Sequence, residues 1–150
     1  MSTTRRRERG QALVEFSLVL IPFLWILMGI VDLGRGIYTY NAVGQAAREL
    51  GRATSVHVCD PSAATCTLGT APETAQVLGT QQKLVPGLGG AGSSVAYACT
   101  TVTDAALSSI NCPSGAFVRV TVTVPFGAVT PFLGGFLPSS LSSTTHIQVP

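Results

Sequence analysis

The most unusual residue of the chain for its surroundings is Glu15, the single charged side chain between Gln11 and Val31. A charge in a stretch of that kind costs about 2.5–3.5 kcal/mol on entering a bilayer, and such residues are functional by default. Glu15 lies only four residues into the stretch, so its carboxylate could simply reach back to the lipid headgroups. That explanation leaves the order of the residues from Gly10 to Phe16 unaccounted for.

The apolar stretch itself predicts a transmembrane helix over residues 11–31. At about 1.5 Å per residue it would span about 30 Å, the thickness of a hydrocarbon core. It has no polar stripe, and it is too long for a cleaved secretory signal, with no A-x-A-like site after it. The preceding arginines predict a cytoplasmic N-terminus by the positive-inside rule; they are Arg5, Arg6, Arg7 and Arg9.

Residues 32–56 are predicted to continue the helix beyond the membrane as an amphipathic segment. Apolar residues recur at intervals of three and four, the spacing of one helical face: Leu33, Ile37, Tyr40, Val43, Ala47 and Leu50. The opposite side carries polar residues, namely Arg35, Thr39, Gln45, Arg48, Glu49 and Arg52. Asp32 and Arg35 are three apart and can pair. The apolar face is expected to pack in part on the C-terminal domain.

The order of residues from Glu8 to Ala53 resembles the TadE-like family of the tight-adherence (Flp/Tad) pili. A basic leader, a glycine, four residues, a glutamate, an aromatic residue and an apolar helix form a prepilin-type signal. The matching positions here are Gly10, Val14-Glu15-Phe16, Pro22, Asp32-Leu33-Gly34-Arg35, Tyr38, Ala46-Ala47-Arg48 and Arg52. The chain departs from the family at Gly51, where alanine is commoner.

The resemblance implies that a membrane aspartyl peptidase removes residues 1–10 by cutting between Gly10 and Gln11. It also implies that Glu15, followed by Phe16, acts in subunit assembly, with the carboxylate pairing with the free amine of a neighbouring subunit. Such pairing is physically reasonable, because a carboxylate matched with an ammonium in hydrocarbon costs much less than an unpaired one.

The partners implied are other pilin or pseudopilin subunits, the prepilin peptidase, a membrane assembly platform and the lipid bilayer. The implied location is the bacterial plasma (inner) membrane, with the C-terminal domain outside and possible incorporation in a surface filament. Major pilins of this branch are typically much shorter. The resemblance therefore favours a minor pilin or pseudopilin of a tight-adherence pilus or a related secretion machine.

The four cysteines are candidates for two disulfides, because disulfides are the default outside the membrane. Four cysteines allow three pairings. Nearest-neighbour pairing, Cys59 with Cys66 and Cys99 with Cys112, closes the shortest loops and is favoured over the other two. A zinc site is disfavoured, because neither spacing resembles C-x₂-C and only His57 is close in sequence.

Residues 57–150 are predicted to form a small extracytoplasmic domain, which makes the fold class α+β with an antiparallel sheet. A weak helical pattern covers residues 71–85. Strands are expected around residues 95–99, 117–124 and 145–149, and the middle one has the clearest alternation of apolar and polar side chains.

The segment Pro125–Leu141 contains no charged residue, but its prolines and glycines argue against a membrane helix. Two interpretations remain. The favoured one is a loop folded over the sheet. The functional alternative is an apolar contact surface led by Phe126, Phe132 and Phe136.

No cofactor, metal ion or catalytic site is expected, and we predict a protein that is not an enzyme. The glycines of Gly87–Gly92 match G-x-G-x-x-G, but Pro86 precedes them instead of a strand, so they predict a turn. Neither histidine lies near a nucleophile motif. The net charge of +2 comes from the N-terminal end, so no nucleic-acid partner is expected. The alternative function is a single-pass, membrane-anchored extracellular binding domain that does not join a filament and keeps its leader.

Overall fold

The computed structural model describes residues 4–59, 66–107, 112–130, 133–135 and 137–150. Its helices are α1 (Thr4–Val56) and α2 (Pro72–Leu84). Its strands are β1 (Ser94–Thr100), β2 (Phe117–Pro125) and β3 (Ser140–Gln148), and a short 3-10 turn covers Leu133–Gly135. A long N-terminal helix followed by a small three-stranded antiparallel sheet confirms the predicted α+β class.

Helix α1 is continuous over 53 residues and passes through Pro22 without a break. Its part from Gly10 onward is long and apolar enough, by length and composition, to cross a membrane. The helix begins at Thr4, so it includes most of the predicted leader and runs through Gly10. The division into a leader of residues 1–10 and a membrane span of residues 11–31 therefore remains a prediction.

The chain forms two compact units. The first consists of Met1–Arg35 and Ala128–Leu137, and the second of Gly36–Gly127 and Pro138–Pro150. The prediction that the uncharged loop folds over the sheet is wrong for Ala128–Leu137, which belong to the first unit with the apolar part of α1. The physical reason is that the carboxylate of Asp32 in α1 accepts backbone hydrogen bonds from this loop.

The sheet of the second unit has the order β1-β2-β3, with both pairs antiparallel. The central strand β2 alternates as predicted: its four valines are fully buried, and the residues between them are partly exposed. Alternation of this kind places every second side chain on the same face of a strand. The buried face of β2 is therefore an unbroken row formed by Val118, Val120, Val122 and Val124.

The valine row of β2 shares one core with the last turns of α1 and with residues around α2. From α1 the core takes Val43, Ala46, Ala47 and Leu50, all fully buried. From the neighbourhood of α2 it takes Val85 and Leu88, with Val77 and Leu78 packed against it. Burial of a Val or Leu side chain contributes about 1.5–3 kcal/mol to folding, so this core provides much of the stability of the second unit.

The predicted apolar face of residues 32–56 is correct only in its second half. Val43 and Leu50 are buried, but Leu33, Ile37 and Tyr40 are 56–59% exposed. The residue that is buried in their place is Thr39, at 6% exposure, which the periodicity assigns to the polar side. The buried face of α1 in this region therefore lies one residue away from the apolar face that the sequence indicates.

Both pairs of neighbouring cysteines are joined in the structure. Cys59 is bonded to Cys66 just after α1, and Cys99 in β1 is bonded to Cys112 before β2. Cys99 and Cys112 are buried, whereas Cys59 and Cys66 are partly exposed. All four cysteines are paired, so the chain has no free thiol.

Gly51 is the point of closest approach between α1 and β3. A Cβ atom added there would lie 2.9 Å from Ile147 Cδ1 and 2.9 Å from Thr145 Cγ2. The end of Ile147 can rotate away, but Thr145 is β-branched and stiff at χ1. The departure from the family at Gly51 therefore has a packing reason in this chain, since glycine lets the helix lie directly against the edge strand.

A matched pair of glycine substitutions tests this contact. Gly79 lies inside α2, and a methyl group added there would meet nothing within 4 Å, so Gly79→Ala should stabilise the protein by up to about 1 kcal/mol through helix propensity. Gly51→Ala has the same propensity gain but adds an overpacking cost of about 1–3 kcal/mol. Thermal unfolding followed by circular dichroism should therefore rank Gly79→Ala above Gly51→Ala. Equal stabilisation by both changes would contradict the close approach of α1 and β3.

Candidate functional site

The apolar part of α1 is largely exposed in the part of the chain that the structure describes. Large apolar side chains are exposed on all sides of the helix from Leu13 to Val31, most of them at 43–70%. Such a surface in water would be strongly unfavourable, and its length matches a bilayer. Trp25, in the second half of this stretch, is half exposed.

Glu15 lies on this bare surface, exposed, one residue before the 64% exposed ring of Phe16. Within the residues whose side chains the structure describes, from Gly10 onward, no donor or cation is paired with its carboxylate. The carboxylate is thus available to a group outside these residues. Both the predicted assembly role and the simpler headgroup explanation require this.

Gly10 lies inside α1, where glycine costs about 1 kcal/mol relative to alanine. A Cβ atom at this position would meet nothing within 4 Å. Close packing within the chain therefore does not require glycine at this position. The bond from Gly10 to Gln11 is helical in the structure, so a peptidase would have to bind it in a locally unwound form.

A second feature lies where the apolar part of α1 ends, and it centres on Asp32. This carboxylate is 1% exposed and accepts two backbone hydrogen bonds, from Val129 N at 3.0 Å and from Thr130 N at 2.8 Å. Arg35 donates to the same carboxylate at 3.4 Å, with its side chain half exposed. The predicted Asp32–Arg35 pair is present, and its main role is to support a carboxylate that holds the loop Ala128–Leu137 against α1.

The surroundings of Asp32 favour its charged form. The Thr130 hydroxyl, followed by the Val129 and Thr130 amides, lowers the pKa of Asp32 from its ordinary value of 3.8, against the opposing effect of burial. The hydroxyl makes no hydrogen bond of standard geometry, so the two short amide bonds are the firmer cause. Hydrogen bonds to the charged form of a carboxyl group are known to act in this direction.

The loop also contacts α1 through Leu137. Together with Ile26, Gly29, Ile30 and Leu33 of the helix, it lines an apolar cleft of about 350 Å³. Of the predicted contact surface, the ring of Phe126 lies 3.4 Å from the point that a Cβ atom on Gly36 would occupy. Phe132 and Phe136 lie outside the described residues. No pattern in the sequence indicates the loop contacts with α1, because their partners are nearly a hundred positions apart.

Other polar groups of the described chain offer little chemistry. Asp104, in the loop after β1, pairs with Arg119 of β2 at 3.2 Å and lies 3.8 Å from His146 of β3, all of them partly exposed. A polar cleft of about 420 Å³ lies between α1 and α2, bordered by residues such as Arg48 and Gln81. Among the described residues no group of three or more metal-ligating side chains comes together.

The bare apolar helix and the small disulfide-bonded α+β domain fit the class of membrane-anchored proteins with a single N-terminal helix. Within that class, residues 10–52 match the family described as TadE-like protein. The match confirms the resemblance over the helical segment that carries it and fits a protein associated with the Tad pilus. It leaves out most of the C-terminal domain. No curated protein and no solved structure matches the chain.

Substitution of Asp32 tests whether the carboxylate holds the loop. Asp32→Ala removes the acceptor of two amides, and a hydrogen bond to a charged group contributes enough that their hydrogen exchange should accelerate by about tenfold or more. Exchange at Val129 and Thr130 is measured by mass spectrometry on the full chain. Asp104→Asn, which alters an exposed carboxylate in the loop after β1, is the control and should leave both amides unchanged.

The pH dependence of the same amides has a defined sign. Because the pKa of Asp32 is lowered in the folded protein, its stabilising effect is complete above the ordinary value of 3.8 and is lost as the pH falls through the lowered value. Protection of Val129 and Thr130 should therefore persist at mildly acidic pH. Unchanged exchange in Asp32→Ala, or protection already lost well above pH 3.8, would contradict this role.

Proposed function

We propose that the chain is a minor pilin or pseudopilin of a tight-adherence (Flp-type) pilus or a related secretion machine. It is anchored by α1 in the bacterial plasma membrane, with a cytoplasmic N-terminus and the disulfide-bonded domain outside. It joins other pilin subunits after the prepilin peptidase cuts between Gly10 and Gln11. The observation that carries the proposal is the TadE-like match, which begins at Gly10 itself.

The state of Gly10 supports the cleavage step. A glycine weakens a helix, and among the described residues no neighbouring atom explains its presence. Recognition by a peptidase would explain the glycine, since a small residue beside the cut fits a narrow active site and eases local unwinding. Cleavage would make Gln11 the new N-terminus and would create a free amine four residues before Glu15.

The exposed side chains of α1 support assembly with other helices. Beyond the predicted span, the apolar residues Leu33, Ile37 and Tyr40 remain more than half exposed. They continue the bare surface of the span into a region where lipid is no longer expected to cover it. Helices of neighbouring subunits offer a matching apolar surface, and their free amines offer the cation that Glu15 needs in hydrocarbon.

The alternative function is a single-pass anchored domain that binds an extracellular ligand and never joins a filament. The cleft between α1 and α2 is the feature that favours it, because it is large enough for a small polar ligand. The two functions differ in processing, since a plain anchor keeps its leader. We favour the pilin function because the residue order from Gly10 to Phe16 is specific, whereas no feature of the cleft points to a particular ligand.

Processing gives the direct test of the proposal. When the chain is produced with its cognate peptidase, the mature protein should begin at Gln11, as read by N-terminal sequencing from native membranes. Gly10→Val should block the cut, because a branched side chain fills the position that glycine leaves open. Gly34→Val makes the same change at a second open helical site and should still be cut. Mature protein that retains residues 1–10 would refute the pilin function.

The role of Glu15 is tested by measuring assembly with partner subunits rather than insertion of the helix into the membrane. If the carboxylate pairs with a neighbour's amine, Glu15→Ala should be processed normally but crosslink to partner pilins about ten- to a hundredfold less, as expected for loss of a charge-assisted hydrogen bond. Glu15→Gln keeps the shape and should fall between wild type and alanine. Equal crosslinking and equal numbers of surface filaments in wild type and Glu15→Ala would leave Glu15 as a headgroup-facing residue.

A further inference from the structure

The loop between β2 and β3 has a composition that suits lipid. Seventeen consecutive residues, Pro125–Leu141, include no charged side chain. Its described part contains Val129, which is 67% exposed, and Leu137, which borders the apolar cleft on α1. An apolar side chain as exposed as Val129 is common on a protein surface by itself, so the position of the loop along α1 decides its meaning.

Leu137 lies against helix residues that belong to the predicted membrane span. The cleft that it lines with α1 includes Ile26, Gly29 and Ile30, all of which precede the end of the span at Val31. At about 1.5 Å per residue, these residues lie roughly 2–8 Å inside that end. Amphipathic elements that bind a membrane surface are buried to about 5–10 Å at the headgroup boundary, which is a similar depth.

Two backbone N–H groups of the loop already have the hydrogen-bond partners that an environment without water requires. Non-helical backbone in lipid requires partners for its N–H groups, and each unpaired group is costly there. The carboxylate of Asp32 accepts the N–H groups of Val129 and Thr130. Arg35, half exposed beside Asp32, can reach the phosphate groups of the lipids while it balances this charge.

We propose that the loop between β2 and β3, through its described residues Val129 and Leu137, makes a second membrane contact at the headgroup boundary of the outer leaflet, beside the end of the α1 span. Its partner is the lipid bilayer itself. Lipid is favoured over a second protein because the loop lies alongside residues of the predicted membrane span. The contact depends on anchoring by α1, but it holds whether or not the leader is removed, so it stands independently of the pilin function.

The experiment places an environment-sensitive fluorophore on the loop of the full chain in vesicles of phosphatidylethanolamine and phosphatidylglycerol. Val129→Cys supplies the labelling site, and the native cysteines do not compete because all four are paired. Val102→Cys is the matched control: it is also an exposed valine, at 83%, in the polar loop after β1. The single tryptophan of the chain, Trp25, reports insertion of α1 in the same samples.

The expected result is that the label at Val129 emits at shorter wavelength than the label at Val102. It should be quenched several-fold less by aqueous iodide, and by nitroxides carried near the lipid headgroups more than by nitroxides near the chain ends. Trp25 should be quenched by lipid nitroxides in both variants. A Val129 label as accessible to iodide as the Val102 label would overturn the proposal. So would a label shielded from iodide but unaffected by any lipid nitroxide, which would indicate a protein neighbour.

Discussion

Helix α1 carries two different kinds of surface in succession, and the described contacts of the chain depend on where one changes into the other. Helix α1 is unbroken from Thr4 to Val56, yet from Gln11 to Val31 it is apolar on every side except at Glu15, and its last turns bury only one strip. The change occurs within one or two turns around Asp32. A polar side chain at that point would ordinarily face water, but here it is buried and carries the hydrogen bonds of a distant loop.

The core of the second unit is built on the narrow buried strip of α1 that lies after Asp32. Small residues dominate that strip, with Ala46, Ala47 and Gly51 all buried. Small side chains on a helix allow the strands to approach closely, and the valine row of β2 fills the space that they leave. A sheet of only three strands can form a core in this way, because the helix supplies one complete layer and the buried Cys99–Cys112 bond ties β1 to the loop before β2.

The elements could be predicted from the sequence where the pattern is local. The valine alternation of β2 and the length of the apolar stretch are local patterns, and both elements are present. The buried face near Thr39 could not be predicted, because periodicity selects the more apolar face, whereas in this chain the more apolar side chains there are exposed. The contacts between Asp32 and the loop could not be predicted for another reason, because no local sequence pattern identifies partners so far apart. The roles of Gly10 and Glu15 came from family resemblance and remain proposals.

The distance along the chain between Asp32 and the amides that it binds has a consequence for biosynthesis. The hydrogen bonds join residues 97 and 98 positions apart. At about 5–20 residues per second, a ribosome needs roughly 5–20 s to synthesise that interval. For most of this time α1 is complete while the carboxylate still lacks its amides. Arg35 lies one turn away and is synthesised almost together with Asp32, so it is the partner available to the carboxylate before the loop is made.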